Sequence, residues 1–312
     1  GWLGIEHLAK SYGPLRAVDD VSFTCQPGTI TGFLGPNGSG KSTTLRMLVG
    51  HTRPSSGSTT FDGRRFVDLP QPGRVVGVLL DASAQHPGRS VWETARLASL
   101  VVRVGRERTR ECLAAVGLSG VMRKRVGSLS LGMRQRLGLA IAILGFPRFL
   151  ILDEPANGLD PEGIRWLREF LLAFASHGGT VLVSSHQLSE IEAMADQLII
   201  IDRGRATNAR SLLAEVQDPV SLAVSENDQV LHQALLSSGI TVLSQLGTTP
   251  LRAQTTTADL GRLAFAAGIA LTYLAPEKVP SLEDRFLTLT SGEYAGLSSE
   301  QLFHAASGEP RQ

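Results

Sequence analysis

The apolar positions of the chain fall into two regimes. Up to about residue 215 they come as short unbroken runs that end in polar clusters: TITGFLG (29–35), VVGVLL (75–80), FLIL (149–152) and TVLVSS (180–185). Unbroken runs of this length predict strands covered on both faces, as in a parallel sheet flanked by helices. Leucine and methionine spacing in KSTTLRMLVG (41–50) predicts a helix, and LGLAIAILGFPRFLIL (137–152) reads as a helix followed by a strand, broken at Pro147 and Arg148. In HPGRSVWETARL, Ser90 is a candidate N-cap, with Trp92 and Leu97 expected to pack inward.

From residue 216 the pattern changes. VSLAV, DQVLHQALLSSG, ITVLSQ, PLRAQTT, ADLGRLAFAAG and IALTYLA read in order as strand, helix, strand, strand, helix, strand. That β-α-β-β-α-β order predicts a small ferredoxin-like α+β domain over 216–292. It would be closed by a helix over SLEDRFLTLTS and followed by a loose polar tail over 293–312.

Composition narrows the class. A 312-residue chain with 42% hydrophobic residues can bury proper cores in two domains. A formal charge of +1 without a long basic run argues against a nucleic-acid partner. Cys25 and Cys112 lie far apart without a C-x-x-C or a histidine companion, which fits packing residues in a reducing compartment. No apolar run is long enough to cross a bilayer, and GWLGIEHLAKSYG has no basic region followed by an apolar core. A membrane process would need another chain to span the membrane.

The chemistry begins where a predicted strand meets a predicted helix. GPNGSGKSTT places Gly35, Pro36, Asn37, Gly38, Ser39, Gly40, Lys41, Ser42 and Thr43 at that junction and satisfies G-x-x-x-x-G-K-[ST] in full. Gly35, Gly38 and Gly40 are expected to take left-handed dihedrals that turn amides inward, and the helix start adds its partial positive charge. Lys41 is expected to reach the β- and γ-phosphates of a nucleotide, and the Ser42 hydroxyl to ligate Mg²⁺. At the carboxyl end of FLIL, Asp153 can hold the metal through water and Glu154 can act as general base on the attacking water. His186, at the end of another apolar strand, can hold water and Glu154 in line or can simply cap a helix.

SLSLGMRQRLGLAIAIL (128–144) closely resembles the signature segment of ABC transporter ATPases, and it precedes LILDEP at that family's customary distance. The resemblance covers residues 2–215 and rests on six motifs in sequence. It implies an ABC-type P-loop ATPase fold: a RecA-like α/β core, an antiparallel β subdomain and a helical subdomain holding the signature. It implies ATP and Mg²⁺ as cofactors, Tyr12 as the platform that stacks on adenine, Asp160 as the D-loop acid and His186 as the switch histidine. It further implies two such chains packed head to tail, with Ser130 and Gly132 of one facing the γ-phosphate held by the other. On residues alone, Ser130 and Gly132 start a helix and form a second anion site with no phosphate of its own.

Departures from the family pattern point inside it. Leu131 and Met133 stand where glycine and glutamine are usual, a form that resembles drug, antibiotic self-resistance and lantibiotic immunity exporters. Their membrane partner is a separate six-helix chain, so the resemblance implies a peripheral subunit on the cytoplasmic face of the cell membrane. At the Q-loop, where a glutamine touching Mg²⁺ is usual, Asp81 ends the strand and Gln85 follows four residues later. Asp81 is aligned there as a metal-touching acid, with a strand cap as its bland alternative. The rival functions are a soluble ABC-type ATPase in translation or DNA repair and a nucleotide-sensing regulatory module. The intact Glu154 and His186 weigh against the second, and the lack of a second ATPase domain or a long inserted coiled coil against the first.

Overall fold

The computed structural model describes residues 1–208, 219–245 and 248–277. The chain divides into two compact units, one containing the described residues up to 208 and the other those from 219 onward. The expected helix over SLEDRFLTLTS and the tail over 293–312 lie outside the described residues.

The first unit holds two sheets. Strands β1 (Leu3–Tyr12), β2 (Leu15–Cys25) and β4 (Ser56–Phe61) form an antiparallel sheet in the order β2-β1-β4. The second sheet contains β3 (Ile30–Leu34), β5 (Val76–Leu79), β6 (Phe149–Leu152), β7 (Thr180–Ser185), β8 (Gln197–Asp202) and β9 (Arg205–Asn208). Its order is β5-β6-β7-β3-β8-β9, parallel from β5 to β8 with β9 antiparallel at the edge. The unbroken apolar runs have the burial expected of them: β3, β6 and β7 are buried along their whole length. A core of Leu3, Leu8, Phe33, Leu45, Phe61, Phe149 and Ile201 joins the two sheets, with the Phe61 and Phe149 rings edge-on at 5.1 Å. Cys25 belongs to that core, and burial pushes its thiol up to about 12, so it packs as a small apolar side chain.

The α-helices among the unit's described residues are α1 (Lys41–Leu48), α2 (Val91–Val101), α3 (Arg106–Ala115), α4 (Leu131–Ala142), α5 (Pro161–Ser176) and α6 (Leu188–Ile191). Their starts follow local chemistry. Ser90 and Glu93 form a capping box at α2, Ser130 accepts from the Met133 amide at α4, and Asp160 accepts from the Gly163 amide at α5, with Pro161 in the first turn. The phase of α2 corrects one expectation. Val91, Ala95 and Ser99 face inward, whereas Leu97 is exposed and Trp92 lies half-buried under the Arg110 guanidinium. Val91, Ala95 and Ser99 keep the i, i+4 spacing of one helix face, and Leu97 lies off it.

In the second unit, β10 (Val220–Ser225), α7 (Asp228–Ser237), β11 (Leu251–Gln254), α8 (Thr257–Ala266) and β12 (Leu271–Pro276) build an antiparallel sheet of order β11-β10-β12. Leu231, Leu235, Leu260 and Ala264 from the two helices pack on Ala223, Leu251 and Ala253. The strand expected over ITVLSQ shrinks to a single bridge, Val242 opposite Ala253. The Ser244 hydroxyl accepts from the Arg252 amide, so a side chain replaces the ladder bond that would have continued the strand. With that bridge at its edge, the sheet keeps the spatial order of a ferredoxin-like fold.

Candidate active site

The carboxyl ends of β3, β6 and β7, central strands of a parallel sheet, are where such sheets place ligands. At the end of β3 the chain turns through GPNGSG into α1. Gly38 and Gly40 have φ of 82° and 109°, left-handed as expected. Gly35 is not left-handed, and its requirement is space: a Cβ there would lie 2.3 Å from the Ile201 carbonyl oxygen. A Cβ on Gly40 would likewise meet the Ala17 carbonyl at 2.6 Å, so neighbouring backbone grips the loop from both sides. Ser39 is buried and its Oγ has no hydrogen-bond partner among the described residues. The first-turn amides of α1 have no acceptor within their own helix. This open-backed turn, leading into a helix N-terminus, fits a bound phosphate chain.

Lys41 is only 5% exposed, and its Nζ donates to the carbonyls of Gly35 and Pro36. It also lies 3.5 Å from Glu154 Oε1. The other Glu154 oxygen, Oε2, meets His186 Nδ1 at 2.8 Å, and His186 Nε2 lies 3.2 Å from Gln187 Nε2. Lys41 from the β3 turn, Glu154 from the end of β6 and His186 from the end of β7 are therefore brought onto one carboxylate. Asp153 is joined through Ser184, whose hydroxyl donates to Asp153 Oδ1. Ser42 and Thr43 sit half-buried in the first turn of α1.

The remaining predicted residues stand elsewhere. Ser130 is exposed at the start of α4, and Gly132 packs so closely that a Cβ would come 3.0 Å from the Gly158 carbonyl. Leu131, the departure from the usual signature, sits over Gly158, where an added Cβ would meet it at 2.4 Å. Ser130, Gly132, Gly158, Leu159 and Asp160 line one open hollow. Asp160 shares in it while its carboxylate caps α5. No described side-chain contact joins this hollow to Lys41 or His186. Tyr12 is half-exposed at the end of β1, with Lys10 Nζ 4.9 Å over its ring.

Asp81 accepts hydrogen bonds from the Ser83 amide at 2.7 Å and the Ser83 hydroxyl at 2.6 Å. Those bonds, with Arg46 nearby, hold its carboxyl below the usual aspartate range. Among its described contacts none is with Ser42, Asp153 or Glu154. Gln85 has a buried Oε1 with no hydrogen-bond partner among the described residues. No cluster of three or more His, Cys, Asp or Glu capable of holding a metal occurs among the described residues. A Mg²⁺ held by Ser42 and Asp153 would take most of its ligands from phosphate oxygens and water, the ordinary arrangement for that ion.

Ser184 and Gln135 lie inside segments named above without a role of their own, yet both hydrogen-bond the backbone of Glu154. A hydroxyl inside the apolar run TVLVSS and an amide on the buried face of α4 were both available signals, because buried polar groups need partners.

A family model described as ABC transporter matches residues 18–157, and one described as AAA domain, putative AbiEii toxin, Type IV TA system matches residues 125–192. The Bacillus subtilis (strain 168) ABC transporter ATP-binding protein YhcH is 34% identical over 97% of this chain and 99% of its own. The lantibiotic transport ATP-binding protein SrtF of Streptococcus pyogenes is 38% identical over 74% of this chain and 98% of its own. Among solved structures, an ATP-binding subunit of an ABC transporter superposes with a TM-score of 0.62 at 26% identity, covering 69% of this chain and 94% of that one.

Proposed function

The chain belongs to the ATP-binding proteins of ABC transporters and is an ATPase coupled to transport, and from that premise we propose that it powers export of an antibiotic, drug or similar compound. Such proteins dimerise and work with transmembrane subunits. The partner proposed here is a separate six-helix membrane chain, with the ATPase on the cytoplasmic face of the cell membrane. Among the described residues no helix is long and apolar enough to cross a membrane, so the proposed route for cargo lies in that second chain. The export reading is supported by the lantibiotic transport protein SrtF, which matches along 98% of its own length.

The observation that carries the mechanism is the convergence of Lys41 and His186 on the Glu154 carboxylate. The turn over residues 35–40 and the α1 amides would bind the phosphate chain, and Tyr12 would stack on the adenine. Drawn to phosphate, Lys41 would give up Glu154 Oε1. That leaves Glu154 to take a proton from water while His186 Nδ1 holds Oε2 in place. Ser42 and Asp153 would hold Mg²⁺, which when bound neutralises phosphate charge. Asp81 would join them only by leaving Ser83. Ser130, Gly132 and Asp160 would serve a nucleotide seated on a second copy or a relative. The second unit has no glycine cradle among its described residues, and its proposed role is to brace or dock the assembly.

Export is tested by expressing the chain with its membrane partner in a sensitive host and measuring the inhibitory concentration of lantibiotics and unrelated drugs. The reading predicts increased resistance that Glu154→Gln removes. Resistance unchanged by the pair, or retained by the variant, contradicts it.

A further inference from the structure

Glu154 is held by its backbone as well as by its carboxylate. It precedes Pro155, a position ordinarily extended, yet its φ is +48°, in the left-handed region that side chains other than glycine seldom enter. Residues held there persist when surrounding groups over-determine them. Two side chains from different elements do so. The Glu154 amide donates to Ser184 Oγ at 2.9 Å, and the Glu154 carbonyl accepts from Gln135 Nε2 at 3.2 Å as well as from the Asn157 amide of its own turn at 3.2 Å. Ser184 is fully buried on β7, and Gln135 is 5% exposed on α4.

The directions of these bonds are fixed by chemistry. A hydroxyl has one proton; Ser184 gives it to Asp153 Oδ1 and so meets the Glu154 amide with a lone pair. One hydroxyl thus ties the side chain of Asp153 to the main chain of Glu154. On the other side, Gln135 spans from the signature helix to the carbonyl. Its Oε1 is buried without a hydrogen-bond partner among the described residues, and its Nε2 donates to the Glu154 carbonyl. The peptide groups on both sides of the Glu154 Cα are clamped, and the direction of the Cα–Cβ bond is clamped with them.

We propose that Ser184 and Gln135 are positioning residues that hold Glu154 in its left-handed conformation and so aim its carboxylate between Lys41 and His186. The proposal rests on the reading of Glu154 as the general base. Neither residue is among the polar partners of the carboxylate, which are His186 and Lys41; each acts through the backbone. Misplacing a catalytic group by about 1 Å can cost on the order of 10²-fold in rate. Loss of one of the two side-chain clamps, with the Asn157 amide still on the carbonyl, is therefore expected to slow turnover by about tenfold while leaving the phosphate cradle intact.

The test uses the full chain with Ser184→Ala, Ser184→Thr, Gln135→Met and Glu154→Gln, in four measurements: steady-state kcat and KM, affinity for a fluorescent ATP analogue, the ATP-dependent dimer on size exclusion, and the thermal midpoint. Ser184→Ala and Gln135→Met should each lower kcat about tenfold with KM within about twofold. Both should accumulate the ATP-bound dimer, because hydrolysis that would part it is slowed. Ser184→Thr, which keeps the hydroxyl, should retain most of kcat. If Ser184→Ala does not fold, Gln135→Met decides the matter alone. Parent-like kcat in the clamp variants beside an inactive Glu154→Gln overturns the proposal while leaving the base assignment standing. So does a loss of kcat that merely parallels losses in ATP affinity and thermal midpoint. Parent-like turnover by Glu154→Gln removes the base assignment, and the proposal with it.

Discussion

Two helix N-termini of the first unit, both proposed to meet phosphate, are equipped differently. At α1 the glycine turn is gripped by backbone on both sides, a buried lysine reaches across it, and Glu154 and His186 stand within hydrogen-bonding range of each other. At α4 there is an exposed serine, a glycine packed on the residue 156–160 loop, and an acid already committed to capping α5. On the proposed reading the first binds and cleaves a phosphate chain; the second offers donors and no described general base of its own. A helix start with donors and no chemistry is half of a site. On the proposed reading, that difference is why two copies of such an ATPase would work as a pair.

The largest effect that would sharpen this contrast is at Glu154. Glu154→Gln keeps the cradle and removes the base, so ATP affinity should stay within about twofold while turnover falls by about 10²–10⁴-fold. A mutant that cleaves ATP at the parent rate breaks the contrast at its stronger end. Next comes Ser130→Arg at the weaker end. Bulk and positive charge on the exposed start of α4 should abolish ATP-driven dimerisation on size exclusion and leave nucleotide affinity of the single chain unchanged. Equal loss of single-chain affinity would show that the α4 hollow serves the chain's own nucleotide.

Smaller shifts are expected farther out. Asp81→Ala should raise the Mg²⁺ concentration for half-maximal activity a few-fold, with Asp81→Gln restoring much of it. Unchanged Mg²⁺ dependence would leave Asp81 as the turn cap it forms with Ser83. The smallest effect should follow removal of residues 216–312. Fragment 1–215 should fold and bind ATP with near-parent affinity by fluorescence titration, while its dimerisation weakens. An insoluble fragment would show that the two units are not independent.

The sequence displayed the strong half-site more fully than the weak one, for a physical reason. A phosphate cradle constrains backbone, so it demands glycines at fixed spacing, and an apolar strand ending in Asp153-Glu154 announces a ligand face. Even there the reason for Gly35 differed from expectation: close approach of the Ile201 carbonyl rather than a left-handed φ. What spacing does not encode is contact between elements distant in the chain. The seat of Leu131 on Gly158, the hold of Ser184 on Asp153 and Glu154, and the reach of Gln135 to the Glu154 carbonyl depend on how α4, β6 and β7 pack. The inward face of α2 was misread at Leu97 because one apolar residue does not set a helix phase. The short strand expected at 240–245 yielded to a serine hydroxyl.

The α1 cradle of one chain and the α4 hollow of another are proposed to make one catalytic site. Mixing two inactive chains puts that pairing to the test. Glu154→Gln has a sound hollow and a cradle that binds ATP without cleaving it; Ser130→Arg has a sound cradle and a damaged hollow. A mixed pair holds one site in which both sound halves face each other. ATPase activity of the mixture should rise well above the sum of the separate proteins and peak near equal proportions. Activity equal to that sum at every ratio, with mixed pairs demonstrably formed, would contradict the claim.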